Sequence, residues 1–382
     1  MNTINYHGQI VETISHIGLW NQNMGIHGIG GSFFLFESLK REHDFSLELF
    51  CEKAYEWKYK NKASSFCSGS AGVNWLFTYM LKRELLSSTD YSFLCSDDNI
   101  LVQKAKEDFE SNNFDFLHGG IGIAWYIIYK NNLAPFNEFL IQVTDYIETY
   151  LYERLNIKAA SKAVHSDHKI NLSVSHGITS ILKYCLECYK KNINKKRSKI
   201  ICMDIITFLI RTMNLDRSES YFPTFFSSDP SQNYSRLAWC YGDLTTAYIM
   251  LQAANCFDLA DIRSLSMEIL EHAAKRRGHS KTGVIDGGIC HGSAGNAYIF
   301  HKLFLQTKQE LFMDTRNYWL EQTYGFARPY VNNTIHFPQY NTILNEESPN
   351  HSLLEGTCGV GLVLSSIQYD TYDWDYCIML ND

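Results

Sequence analysis

Cys290 and His291 stand side by side in Gly287-Gly288-Ile289-Cys290-His291-Gly292-Ser293-Ala294-Gly295, a glycine-flexed turn that opens an apolar stretch of helix length. A second thiol, Cys240 in Trp239-Cys240-Tyr241-Gly242, also lies two residues before a glycine, the place equivalent to Cys290. Two thiols and an imidazole are zinc ligands by type. A set of three with no evident fourth describes a catalytic site that keeps one position open. A thiol entering that position is deprotonated by the metal near neutral pH. Cys67 and His27 offer the same ligand types from earlier turns, where packing at a rim is the simpler role.

These side chains are carried by a repeat. The turns align on one glycine at Gly28, Gly69, Gly119, Gly177, Gly242, Gly292 and Gly356, with spacings of 41, 50, 58, 65, 50 and 64 residues, which makes seven units. Three residues further on stand Gly31, Gly72, Gly122, Ser180, Thr245, Gly295 and Gly359, all small, as close approach of a helix start to a neighbouring backbone requires. After the turns come stretches that are apolar nearly all round, such as 121–129, 246–254 and 297–304, and these read as helices buried on most sides. Amphipathic stretches at 46–59, 137–155, 199–215 and 259–276 precede them and read as outer helices. Strand signals are sparse, and Pro135, Pro223, Pro230, Pro329, Pro338 and Pro349 fall in connecting loops.

The expected fold is therefore all-α, with seven outer and seven inner helices in a single domain over residues 1–382. An open solenoid generally needs polar terminal caps. Repeat one (25–36) and repeat seven (355–364) are as glycine-rich and apolar as the middle ones, which favours a closed ring of two concentric helix layers. Closure points all seven turns at one mouth. The residue before each aligned glycine is His27, Ser68, His118, His176, Tyr241, His291 and Glu355 in turn, so that mouth is polar. Repeats five and six become neighbours, and Cys240, Cys290 and His291 can converge.

The net charge of -7 is scattered, and the clearest basic cluster, at 190–199, reads as a solvated connection between helices rather than a stripe for nucleic acid. The first ten residues lack a basic region followed by an apolar run, and no run of about 18 apolar residues occurs, so neither export nor membrane spanning is expected and the location is cytoplasmic. Eleven cysteines then read as reduced thiols or ligands. Cys185 and Cys188 have redox-pair spacing but share one helix face, and they read as core.

The pattern Arg236-Leu237-Ala238-Trp239-Cys240-Tyr241-Gly242 with Ile289-Cys290-His291-Gly292-Ser293-Ala294-Gly295, set in seven turn-helix units, resembles the lanthionine synthetase C-like proteins, the LanC cyclases of lanthipeptide biosynthesis. The resemblance covers essentially the whole chain. It implies the double-layered α/α toroid, and one Zn2+ per chain held by Cys240, Cys290 and His291. It also implies a cyclase that adds cysteine thiols of a dehydrated precursor peptide to dehydroalanine or dehydrobutyrine, closing thioether rings. Functional residues carry over where motifs match: Asp115 before His118-Gly119, His176 before Gly177, Arg236 four before Cys240, and Tyr241. All come from repeats three to six, one arc of the ring. The implied partners are the precursor, a dehydratase and an exporter, through which the chain would approach the inner face of the membrane.

Within that resemblance His176 is the candidate acid-base residue, with Asp115 holding its tautomer or orientation. Arg236 and the inner-helix N-termini supply positive charge for a developing oxyanion, and Tyr241 donates a proton or lines the cavity. Ser180, Thr245 and Asp243 depart from the usual motif, and His118 is an extra imidazole beside Asp115 that competes with His176 for the role. The gap of 41 residues between the first two turns leaves no room for an added peptide-binding insertion there. Loops 217–235 and 328–352 are rich in Tyr, Phe, Asn and Ser and are candidates to rim the mouth. Two rivals stay open: a related zinc enzyme that couples glutathione or another thiol to dehydrated proteins, and a zinc-stabilised scaffold that only binds peptide. A carbohydrate-active α/α barrel is weaker, because its paired carboxylates are replaced here by thiols and imidazoles.

Overall fold

A computed structural model describes residues 6–17, 25–28, 30–31, 33–34, 46–158, 169–227 and 234–382. Most of the first inner helix and part of loop 217–235 lie outside the described residues. The helices alternate as the apolar pattern requires. Inner helix Ser70–Lys82 buries every residue from Ser70 to Met80, and Gly120–Tyr129 buries Gly120 to Ile128. Outer helix Asp98–Glu110 buries only Leu101, Ala105, Asp108 and Phe109, one stripe at helical spacing. Each fully buried Leu, Ile or Phe contributes about 1.5–3 kcal/mol, so the inner layer holds most of the apolar stabilisation.

The chain forms two compact units by internal contacts. One comprises Lys62–Arg236 and Cys240–Ala273 and contains repeats two to five. In it the inner helices Ser70–Lys82, Gly120–Tyr129, Ile178–Lys190 and Asp243–Phe257 pack in succession, each with an outer helix beside it. A buried ion pair, Lys130 to Asp98 at 2.6 Å, ties the end of one inner helix to the start of its outer partner. Two boundaries differ from the sequence reading. The basic run is a connection only at 191–194, because Lys195 to Lys199 form the first turn of helix Lys195–Arg211, where Lys and Arg are good helix formers with room to reach water. The outer helix of repeat four ends at Thr149 and continues as a π turn, Tyr150–Arg154.

The other unit comprises Met1–Asn61, Leu237–Trp239 and Ala274–Asp382, with repeats one, six and seven. Helix Tyr6–Ile17 packs on the last inner helix, Thr357–Tyr369, and Thr13 Oγ1 donates to the Ile335 carbonyl at 2.6 Å. The Leu353 N–H donates to the His27 carbonyl at 2.7 Å, so the first turn abuts the last. Leu237–Trp239 is held here by three bonds: Leu237 N–H to the Thr282 carbonyl at 2.8 Å, Asn296 Nδ2 to the Leu237 carbonyl at 3.1 Å, and Trp239 Nε1 to the Ile378 carbonyl at 2.9 Å. The C-terminal turn Asp373–Ile378 is fastened by buried Lys302, 2.7 Å from Asp375. Loop 328–352 carries two short antiparallel ladders, Arg328–Pro329 with Ile335–His336 and Gln339–Asn341 with Glu346–Ser348. A third joins Ile170–Asn171 to Phe225–Phe226 in the first unit. The fold is all-α apart from these.

Candidate active site

Four of the turns share one local recipe. Six residues before the aligned glycine a carbonyl accepts the N–H of the residue after it: Ala63 from Ser70 at 2.9 Å, Asn113 from Gly120, Asp286 from Ser293 and Asn350 from Thr357, each at 3.0 Å. The chain thus folds back against its own helix start, and a Cβ on Gly177 would lie 2.2 Å from the Asn171 carbonyl oxygen. In repeat six Ala294 and Gly295 also donate within the turn, to Gly287 and Gly288. The helix N-terminus there has spent its first N–H groups, so it offers an oxyanion less than the sequence reading assumed, and Arg236 is an exposed residue.

Successive turns are stitched to one another by backbone bonds at the position two before the glycine. Cys67 N–H donates to Leu117 at 2.9 Å and Leu117 N–H to Ser175 at 3.4 Å in one unit; Cys290 N–H donates to Leu354 at 2.7 Å in the other. This ladder fixes the register of the side chains beside it. His27 belongs with repeat seven: its Nε2 is 3.8 Å from Glu355 Oε2, and its Nδ1 accepts from Leu354 N–H at 3.4 Å. Cys67 is buried, 5% exposed.

His176 Nδ1 and Asp115 Oδ2 are 2.7 Å apart. That hydrogen bond raises the His176 pKa above the ordinary imidazole range, burial opposes it, and the charges of Asp115 and Cys240 add to the rise. His118 lies three residues after Asp115, yet it gives the carboxylate only its backbone N–H, at 2.8 Å, while its exposed ring stacks 6.0 Å from that of His176. The imidazole coupled to Asp115 is that of His176. The Tyr241 ring sits 6.3 Å from the His176 ring and 6.1 Å from that of Phe225. Asp115 and His176 also line a cavity of about 180 Å³, whose wall includes Phe114, Ile170, Ile178 and Ile181.

Cys240 is 4% exposed and Cys290 and His291 are half-buried. These three are the one group of Cys, His, Asp or Glu among the described residues that could hold a metal ion. The donor set suits zinc: two thiols and an imidazole, with no fourth protein ligand in the group. Cys185 and Cys188 are fully buried, and burial pushes both thiols well above the ordinary range, which makes them inert core.

The sequence matches the lanthionine synthetase C-like proteins over residues 20–379. The chain belongs to the lanthionine synthetase C-like family. Among solved structures it is similar to one titled "Nisin cyclase", with a TM-score of 0.73 and 17% identity over 98% of this chain and 96% of that one. That likeness shows the fold, the α/α toroid. For this family member no described helix is long and apolar enough to cross a membrane.

Two aspartates at the turns have roles that the sequence reading did not give them. Asp243 is fully buried, and its two carboxylate oxygens accept the N–H groups of Phe222 and Tyr221 at 2.8 and 3.0 Å, which anchors loop 217–235 to the start of an inner helix. Asp286 is the other; its carboxylate lies 3.6 Å from His291 Nε2. The available signal was its place six before the glycine, where Asn113, Asn171 and Asn350 stand in three other repeats.

Proposed function

We propose that this chain is a zinc-dependent lanthipeptide cyclase: it adds cysteine thiolates of a precursor peptide to dehydroalanine or dehydrobutyrine residues of the same peptide. The observation that carries this reading is the grouping of Cys240, Cys290 and His291 in a chain of this family. These three residues would hold one Zn2+, which when bound lowers the pKa of a substrate thiol so that it reacts as thiolate.

The addition forms one C–S bond at the β-carbon and moves the alkene electron pair toward the carbonyl oxygen as an enolate. A proton then reaches the α-carbon, so the thiol hydrogen is conserved overall and the mass does not change. His176 is the proton donor in this reading. Its Nδ1 is held by Asp115 at 2.7 Å, which leaves Nε2 for the substrate, and the raised pKa keeps a larger share of the ring protonated near neutrality. Arg236 supplies positive charge for the enolate oxygen. Tyr241, beside His176, lines the site. The cavity whose wall includes Asp115, His176, apolar side chains and three asparagines gives space for the residue that carries the alkene. Loops 217–235 and 328–352 are the candidate peptide-holding rim. A dehydratase supplies the substrate chemistry, and any approach to a membrane runs through such partner proteins and an exporter.

Incubation with a dehydrated precursor in the presence of glutathione, followed by thiol alkylation and mass spectrometry, tests this. Ring closure leaves the mass unchanged and removes one alkylatable thiol per ring. A gain of one glutathione per dehydrated residue would replace the cyclase reading with the thiol-coupling one, and an untouched peptide would leave only a scaffold.

A further inference from the structure

The slot six residues before the aligned glycine has a structural duty that a neutral amide performs. In repeats four and seven the side-chain oxygens of Asn171 and Asn350 accept the N–H two residues on, from Ser173 and Ser352, at 2.9 Å each. Repeat six does the same with a carboxylate: Asp286 Oδ1 accepts from Gly288 N–H at 3.0 Å. Ala63 and Arg236 fill the same slot in repeats two and five, so the turn itself calls for no carboxylate. Asp286 is 2% exposed, and burying a charge is costly unless it is paired. Its second oxygen, Oδ2, is buried and accepts no hydrogen bond among the described residues. That oxygen stands 3.6 Å from Nε2 of His291, just outside bonding range.

We infer that Asp286 is a positioning residue for the ligand His291: its carboxylate holds the ring as the Nε2–H tautomer and so assigns Nδ1 as the metal-binding atom. This rests on reading Cys240, Cys290 and His291 as metal ligands. A neutral imidazole carries one N–H, and a carboxylate facing Nε2 places it there, which makes Nδ1 the lone-pair nitrogen. The same partner makes Nδ1 a stronger donor. The substitution of charge for amide occurs in the repeat that contributes His291, and it uses the oxygen that the turn leaves over.

Asp286→Asn tests this with little disturbance, because an amide oxygen can still accept from Gly288 as it does in the other repeats. Its NH2 would then face Nε2 and favour the opposite tautomer. Zinc affinity, read by chelator competition, is expected to fall about 10–100-fold, with a changed d–d spectrum in the cobalt-substituted protein and unchanged urea stability of the metal-free chain. Asn350→Asp, the same carboxylate in the slot of repeat seven, is expected to bind zinc as wild type does. Nitrogen-15 NMR of the metal-free wild-type imidazole gives a readout that needs no variant, and an Nδ1–H tautomer for His291 would overturn the proposal. Wild-type zinc affinity and cobalt spectrum in Asp286→Asn would overturn it too, as would a loss of metal-free stability matching the loss of affinity. A wild-type protein that binds no zinc, or Cys290→Ala that binds it normally, would instead remove the metal reading underneath.

Discussion

Gly295→Ala places the smallest possible side chain where the helix start of repeat six meets the backbone just before Cys290. The added Cβ would lie 1.9 Å from the Ile289 carbonyl oxygen and 2.8 Å from its carbon. Both obstacles are backbone, so no rotamer relieves them, and the two segments must part by about 1 Å to reach even a tight 3.0 Å contact. Overpacking of this kind costs about 1–3 kcal/mol. Ile289 is bonded to Cys290, so the shift passes to the thiol, and misplacement by about 1 Å can cost on the order of 100-fold in rate. Gly325→Ala is the matched control: nothing lies within 4 Å of its Cβ, and it ends helix Glu310–Gly325. There alanine is expected to stabilise by up to about 1 kcal/mol through helix propensity. Urea denaturation of both variants, with ring-closure rates on the same preparations, decides the matter. A Gly295→Ala protein as stable and as fast as wild type would refute the close-approach reasoning.

His176→Asn is expected to slow thioether formation by about 10²–10⁴-fold with zinc content intact, while His118→Asn stays near wild type; the reverse ranking, in a ring-closure assay, would move the acid-base role to repeat three. His301 is 3% exposed, with Nε2 2.9 Å from the Tyr372 hydroxyl and Nδ1 facing Arg316 at 3.3 Å; burial first and the Arg316 charge second push its pKa down to about 4 from 6.5. The unfolded chain binds the extra proton first, so stability should decline as pH falls from about 6.5 to about 4, by roughly 3 kcal/mol in total from this group; urea titrations of His301→Gln should show a flatter profile, and an identical one would count against that assignment. The single-domain reading predicts one cooperative calorimetric transition for the intact chain, whereas two separable transitions would make the two units independent domains.

The turn register was legible because its constraint is steric and recurs: a carbonyl six residues back presses on Gly69, Gly119, Gly177, Gly242 and Gly356, and another presses on small residues three further on, as with Phe116 O at 2.0 Å from a Cβ on Gly122. The same register set Cys240 and Cys290 at equivalent places, which is why the thiols could be paired from the sequence. Asp115 was different. His118 stands three residues after it, but the ring it bonds is His176, 61 residues away, and only the family resemblance pointed there. Asp286 was hidden, and Asp243 was read only as a departure from the motif, because an aspartate beside a glycine turn is ordinary turn chemistry, and the use of a second carboxylate oxygen appears only when the chain folds back. The two- and three-residue ladders fall below any readable alternation. The start of helix Lys195–Arg211 was missed for its charge, since a solvated basic turn and a basic loop have the same composition.

The zinc content of purified protein, determined by elemental analysis for wild type, Cys290→Ala and Cys67→Ala, tests the central claim most directly. The account predicts about one zinc per chain in wild type and in Cys67→Ala, as three Cys and His ligands with one open position would hold, and little or none in Cys290→Ala. Full zinc in Cys290→Ala together with loss in Cys67→Ala would contradict it.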